Sequence, residues 1–185
     1  SFIIIGCFCL TENGDFYRTL FGYFHRALTV DNFIKKNKNS TFVVAELDID
    51  NFKFINDMYG HPSGDNALQN LADCMKNVFS SEVVIGRNGG DEFCLLLPNE
   101  TCASVKETLV KFVVEPKYFM YKEESHPFTI SLGYAEYPTH ATTRQELMRC
   151  ADSALYQVKL NGKNGLHAFT AENQEIRTQL GFALK

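Results

Sequence analysis

Apolar residues recur along this chain in two rhythms, and the changes between them divide it into elements. From Asp15 to about Lys36, the residues Phe16, Leu20, Phe24 and Leu28 fall at helical spacing, and the stretch closes in the polar run KKNKNS. Thr41 to Leu47, TFVVAEL, is a continuous apolar run that predicts a buried strand ending at Asp48. The following DIDNFKFINDMYGHPSGD is polar and carries glycine, which predicts a short helix plus a loop. Leu68, Leu71, Met75 and Val78 mark one face of a helix from Asp65 to Phe79, with Asp65 placed as its N-cap. VVIGR and EFCLLLP read as the arms of a hairpin around a glycine pair. Val105, Leu109 and Phe112 mark another helix, followed by PKYFMY and by the partly alternating FTISLGYAEYP. Leu147, Ala151, Leu155 and Val158 form a last helical stripe, which Gly162 is suited to end.

This order predicts an α+β fold, a mostly antiparallel sheet flanked by helices. A chain of 185 residues with 45% hydrophobic content can bury a substantial core. It divides into an apolar segment and first helix (1–40), part of the domain or a linker to an upstream region, a globular unit (41–170) and a tail (171–185) that can form a helix. The start, SFIIIGCFCL, is shorter than the roughly 20 residues of a membrane span and lacks a signal peptide's basic flank. The chain begins without Met and reads as a fragment of something longer. A formal charge of −4 gives no reason to expect nucleic acid as a partner. The six cysteines are scattered without a C-x-x-C pair, which favours buried thiols in a reducing compartment.

The chemistry concentrates in RNGGDEF, Arg87 to Phe93. Gly89 and Gly90 permit a tight turn and close approach to the backbone. Asp91 and Glu92 repel each other there unless a cation or a titrating partner accounts for them. Asp48 stands at the end of the earlier strand. If the two strands are neighbours, their carboxylates meet at one sheet edge and offer oxygen ligands to a hard cation such as Mg2+. The plainer alternative is that Asp48 caps a turn while Asp91 and Glu92 solvate a hairpin tip. A calcium EF-hand does not fit DIDNFKFINDMY, because Phe52, Lys53 and Tyr59 fall where a ligand, a glycine and a closing Glu are required.

No P-loop is present, since Asn164 follows Gly162-Lys163 and Gln157 stands where the first glycine belongs. Lys53, just after the DID turn, and Lys159 with Lys163, four apart at the end of the last helix, are the candidate phosphate contacts. Lys159 and Lys163 equally suit a helix C-terminus. Asn56 and Asp65 carry the groups that read a guanine edge, and equally a loop-ordering amide and an N-cap. His61 fits a loop-ordering role, and no second histidine at ligand spacing supports zinc.

Four segments, LDIDNFKFINDMYGHPSGD (Leu47 to Asp65), RNGGDEFCLLLP (Arg87 to Pro98), ISLGYAEYP (Ile130 to Pro138) and ADSALYQVKLNGKNG (Ala151 to Gly165), resemble in sequence and order the GGDEF domains of bacterial diguanylate cyclases. The resemblance makes 41–170 a GGDEF domain, with a fold similar to nucleotide cyclase and polymerase palm domains. It implies condensation of two GTP into cyclic di-GMP plus pyrophosphate, in second-messenger signalling. It also implies Mg2+, or Mn2+ in its place, held by Asp48, the Ile49 carbonyl and Asp91. Glu92 would be a further metal contact or the base for the 3′-hydroxyl. Asn56 and Asp65 would read guanine, and Lys53, Lys159 and Lys163 would neutralise phosphates. One domain holds one GTP, so catalysis implies a homodimer, at least transiently. The implied location is the cytoplasm, including the cytoplasmic part of a larger membrane-attached protein, with a sensory domain upstream of these residues.

The chain departs from the family pattern in several places. After Leu10-Thr11 come Glu12-Asn13-Gly14-Asp15, without the usual Gly-Leu and Asn-Arg. Lys163 stands where Arg is usual, keeping the charge but losing the two-pronged grip. Asn88 replaces a larger residue, and Ser80-Ser81-Glu82-Val83 replaces the Arg-x-x-Asp of product inhibition. These changes leave a second function open, a catalytically silent GTP-binding module that regulates or docks.

Overall fold

The structure, a computed structural model, describes residues 4–5, 8–10, 16–18, 30–36 and 40–170. Three short strands, β1 (Ile4–Ile5), β2 (Phe8–Leu10) and β3 (Phe16–Arg18), pair antiparallel in that order. Helix α1 is described over 30–36. The expected helix therefore does not start at Asp15, because Phe16–Arg18 is a strand whose Phe16 pairs with Leu10. The intervening sequence carries Asn13-Gly14, a pair that favours a hairpin over a helix start. Leu20, Phe24 and Leu28, and the tail 171–185, lie outside the described residues.

The main sheet has five strands in the order β10-β9-β4-β6-β5. Its centre is β4 (Phe42–Ile49), buried along its whole length. The chain continues through α2 (Phe52–Tyr59), α3 (His61–Val78), β5 (Val84–Gly89), β6 (Glu92–Pro98) and α4 (Cys102–Val114). A separate hairpin, β7 (Lys117–Tyr121) and β8 (Glu124–Phe128), precedes β9 (Ile130–Tyr137), α5 (Arg144–Leu160) and β10 (Gly165–Ala168). Strand β4 pairs antiparallel with β6 and β9, whereas β10 joins β9 in parallel as an edge that the sequence pattern did not reveal.

Alternation along β4 builds two cores. Val43, Ala45, Leu47 and Ile49 pack against α3 and α4 with Leu71, Met75, Leu109 and Phe112. Phe42 and Val44 face the opposite way, onto Leu147, Ala151 and Ala154 of α5 and onto Val30. Helices thus cover both faces of a mostly antiparallel sheet, as the periodicity predicts. The continuation of the second face beyond Val44 is Glu46 and Asp48, so the apolar layer under α5 gives way to acid toward one end of the strand.

Local chemistry sets where the helices begin. Helix α3 begins at His61, not at Asp65: Gly60, with φ +85°, is its N-cap, and Pro62 lies in the first turn. GHPSGD is therefore a helix start and not a loop, because proline supplies the φ of a first turn and needs no amide partner. Asp65 sits inside α3, exposed, and not at its cap. Helix α4 closes its start with a reciprocal capping box between Thr101 and Ser104.

Gly133 of β9 sets the height of α5. A Cβ at this position would lie 2.0 Å from the Leu155 nitrogen, 2.3 Å from the Ala151 oxygen and 2.7 Å from the Ala154 carbonyl carbon. All three are backbone atoms, so no rotamer change can relieve the overlap and the helix itself must lift off the sheet. Gly133→Ala is expected to destabilise at or above the upper end of the overpacking range, about 3 kcal/mol, read as a lowered urea midpoint at unchanged slope.

Candidate active site

The site starts from strand register. Asp48, next to last in β4, is the direct partner of Glu92 at the start of β6 and of Ser131 in β9. Direct antiparallel partners stand on one face with Cβ atoms about 4.5–5.5 Å apart, so two strands far apart in sequence deliver their carboxylates to one edge. Ile49, the last residue of β4, buries its side chain in the opposite core, and its carbonyl lies at the strand end. The expected meeting of the DID turn and the acidic hairpin is thus present.

The hairpin tip is held by its own side chains. Gly89 has φ +139° and Gly90 φ +55°, and the pairing of β5 with β6 shifts register between Arg87 and Gly89. A side chain at Gly90 would be strained in that left-handed backbone. The Arg87 guanidinium donates to the Gly90 carbonyl from Nε at 2.9 Å and from Nη2 at 2.6 Å. Asn88, at the bulge, donates through Nδ2 to Glu46 Oε2 at 3.2 Å. The small residue before the glycines therefore ties the tip to β4.

Lys159, in the last turn of α5, donates a hydrogen bond from Nζ to Asp48 Oδ2. Burial pushes the Asp48 carboxyl above its ordinary value; the Lys159 hydrogen bond and charge oppose this, while the charges of Asp91 and Asp50 add to it. Asp91 is also raised, by burial first and by Glu92 among its neighbours, against a backbone hydrogen bond and the charges of Lys159 and Arg87. Asp48 and Asp91 therefore share one electrostatic site with Lys159. Among the described residues, no group of three or more His, Cys, Asp or Glu is gathered as a ready-made metal cluster.

Lys163 reaches the site by a route other than the expected helical i, i+4 pairing. Helix α5 ends at Leu160, and Gly162 (φ +103°) reverses the chain, with the Lys163 amide donating to the Val158 carbonyl at 2.9 Å. From there Lys163 Nζ donates to Asn51 Oδ1 at 2.6 Å, on the residue that precedes α2. Lys159 and Lys163 thus flank the DID turn from opposite ends of a helix stop. Lys53 is exposed in the first turn of α2, a turn that contains no acidic residue.

Asp50 is a key residue that the sequence reading passed over. It is 5% exposed, and its carboxylate accepts from Thr129 Oγ1 and Ser131 Oγ at 2.7 Å and from the Asn164 amide at 2.9 Å. One carboxylate thereby ties the end of β4 to β9 and to the loop carrying Lys163. The signal was the repeat itself: two residues after Asp48, Asp50 returns to the same side of the chain.

Asn56 and Asp65 lie on α2 and α3, and the Asn56 amide packs against Gly64, the residue just before Asp65. Neither lines the cavity of about 390 Å³ beside α5, whose walls include Glu46, Asn88, Glu92, Arg144, Asp152 and Lys159. His61 is exposed in the first turn of α3. The described cysteines Cys74, Cys94, Cys102 and Cys150 are thiols, and burial together with Glu136 pushes Cys102 up to about 12.

Helices over a mostly antiparallel sheet, with acids from two strands at one end, define a palm-like cyclase fold. The family model for the diguanylate cyclase GGDEF domain matches residues 22–165. The chain is 38% identical over 145 residues to the bifunctional diguanylate cyclase/cyclic di-GMP phosphodiesterase MucR of Pseudomonas aeruginosa, covering 75% of this chain and 21% of that protein. It is 36% identical over 130 residues to diguanylate cyclase A of Treponema denticola, covering 69% of this chain and 35% of that protein. The chain thus spans about a fifth to a third of the length of these two relatives. The solved GGDEF domain of DgcB from Caulobacter crescentus, in complex with c-di-GMP, matches with a TM-score of 0.70 at 30% identity, over 77% of this chain and 85% of that one. This chain belongs to the GGDEF domain family.

The raised carboxyls give a pH signature. The folded chain holds the protons of Asp48 and Asp91 more tightly than the unfolded chain does, so their contribution to stability is full below the ordinary value of 3.8 and is lost as pH rises through the raised values. Asp91→Asn removes one of the two groups. Its unfolding free energy without divalent cations should match the parent at about pH 3.5 and exceed it by a few tenths to about 1 kcal/mol near pH 7, after allowance for solvent screening. Urea titrations of both proteins across that range check this.

Proposed function

We propose that this domain is an active diguanylate cyclase, joining two GTP molecules into cyclic di-GMP with release of pyrophosphate from each. The observation that carries the reading is the register of Asp48 opposite Glu92, with Asp91 coupled electrostatically to Asp48 and to Lys159. The donor chemistry fits a hard divalent cation: both raised carboxyls gain from an added positive charge, and Lys159 already supplies one to Asp48. Asp48, the Ile49 carbonyl, Asp91 and Glu92 would hold Mg2+, or Mn2+ in its place. When bound, the cation neutralises charge on the phosphoryl oxygens.

The chain's own groups supply the remainder. Glu92 would be the base that takes the 3′-hydroxyl proton, or a further contact to the cation, and Asp91 would help to hold that cation. Lys53, Lys159 and Lys163 neutralise phosphate oxygens around the DID turn, the positioned charge that phosphoryl transfer requires. Asn56 and Asp65 read the guanine edge. The hydroxyl of one GTP attacks the α-phosphorus of another, the P–O bond to pyrophosphate breaks, and the same exchange closes the ring. One such site holds one GTP, so two copies of the domain must face each other, at least transiently.

The competing reading is a GTP-binding module without turnover, which draws on the replacement of Gly-Leu and Asn-Arg after Leu10-Thr11. A dimer enforced by a fused coiled coil and given GTP with Mg2+ separates the two: cyclic di-GMP supports the cyclase, whereas GTP binding without product supports the module. The domain acts in the cytoplasm, alone or as part of a larger membrane-attached protein, under a sensory domain elsewhere in the protein. Among the described residues no helix is long and apolar enough to cross a membrane.

Glu92→Gln in the enforced dimer is expected to retain GTP affinity within about threefold and to lose at least about a hundredfold in turnover, the scale of general-base removal. Product formation followed by chromatography, beside a binding titration, checks it. Unchanged turnover would remove Glu92 from the base role.

A further inference from the structure

Gly64 is buried in α3, yet its backbone does not require glycine, since it is not among the glycines of positive φ. A glycine inside a helix weakens it by about 0.8–1.0 kcal/mol relative to alanine. The reason for glycine here lies across the seam with α2. A Cβ on Gly64 would lie 2.2 Å from Asn56 Oδ1, 3.0 Å from its Cγ and 3.3 Å from its Nδ2. These three atoms make up one side-chain amide, which rests on the bare Cα of Gly64. No described residue forms a hydrogen bond with that amide.

We propose that Gly64 is a positioning residue for guanine recognition. It gives the Asn56 amide a fixed seat by contact alone and leaves both of its polar atoms to a purine edge. The inference rests on the reading of Asn56 as a guanine contact. It adds that the specificity of the site depends on a residue with no side chain, which itself offers the base no polar side-chain group.

The contrast with Gly133 sets the expected signature. At Gly133 an added methyl meets helix backbone and the fold must give way. At Gly64 it meets the end of a rotatable side chain. Asn56 can swing to another rotamer at small cost. Alanine also favours the helix, so Gly64→Ala should fold as well as the parent while its Asn56 amide is displaced. An amide that no longer meets the base edge forfeits a hydrogen bond whose loss leaves a polar group unpaired, a change of about tenfold or more in affinity.

The test is a double-mutant cycle of Gly64→Ala and Asn56→Ala, each titrated with a fluorescent non-hydrolysable GTP analogue and with the matching ATP analogue, beside thermal unfolding. Gly64→Ala is expected to weaken GTP-analogue binding about tenfold or more, leave ATP-analogue binding unchanged and keep its unfolding midpoint. In the Asn56→Ala background the same change should alter GTP-analogue binding by less than about twofold, because the amide it displaces is gone. Asn56→Ala with parental binding would overturn the guanine reading itself. A weakened Asn56→Ala beside an unaffected Gly64→Ala would overturn the positioning role alone. Equal losses from Gly64→Ala in both backgrounds, or a loss that tracks a lowered midpoint, would likewise overturn it.

Discussion

An aspartate withdrawn from water at the end of a buried strand must be met by positive charge or by hydrogen-bond donors, and the meeting of Asp48 with Lys159 is the contact around which this molecule is arranged. Lys159 arrives only because α5 lies flat on β9, and α5 lies flat because Gly133 has no side chain. The lysine is partly exposed, with 35% of its side chain accessible, so the pair opens toward solvent on one side. It is therefore a charge balance that an incoming polyanion or cation can renegotiate, unlike a sealed ion pair whose desolvation is final.

Asp50 shows the complementary solution two residues on. Its carboxylate is more deeply buried than Asp48 and accepts from two hydroxyls and an amide, with no cation in the set. The two aspartates of the DID turn thus divide the work. Asp50 is satisfied by neutral donors and fixes β4, β9 and the Lys163 loop relative to one another. Asp48 and Asp91 are left with unfavourable charge, the condition under which a bound cation has most to offer.

What was legible in the sequence follows from how local each signal is. The run TFVVAEL, the glycine hairpin and the stripe from Leu147 to Val158 are settled by their own residues, and the structure shows all three as expected. Placing Asp48 beside Glu92 required pairing two distant strands, which the acidic ends of two apolar runs suggested. Asp65 as an N-cap failed because the Gly60-His61-Pro62 sequence begins the helix earlier, within a polar, glycine-containing stretch whose composition suits a loop. The helical pairing of Lys163 failed because Gly162 turns the chain one residue before it. Gly64 and Gly133 carried no visible signal. Their importance lies in atoms from other segments that occupy the space a side chain would need.

The two halves of the site are built by different physics. The acidic half belongs to the main sheet, where register fixes Asp48 against Glu92 and a one-residue slip would turn every side chain of β6 to the other face. The half proposed to read the base sits on α2 and α3, joined by Gly60 alone and braced by the β7–β8 hairpin: the Met120 amide donates to Asn66 Oδ1 at 2.7 Å, and Ser63 Oγ to the Met120 carbonyl at 3.1 Å. Removing an acid from the sheet edge leaves this second half intact, and disturbing the helical seam leaves the strand register intact. The carboxylates proposed for catalysis and the side chains proposed to read the base therefore rest on separable parts of this architecture, so that a change in one part need not propagate to the other.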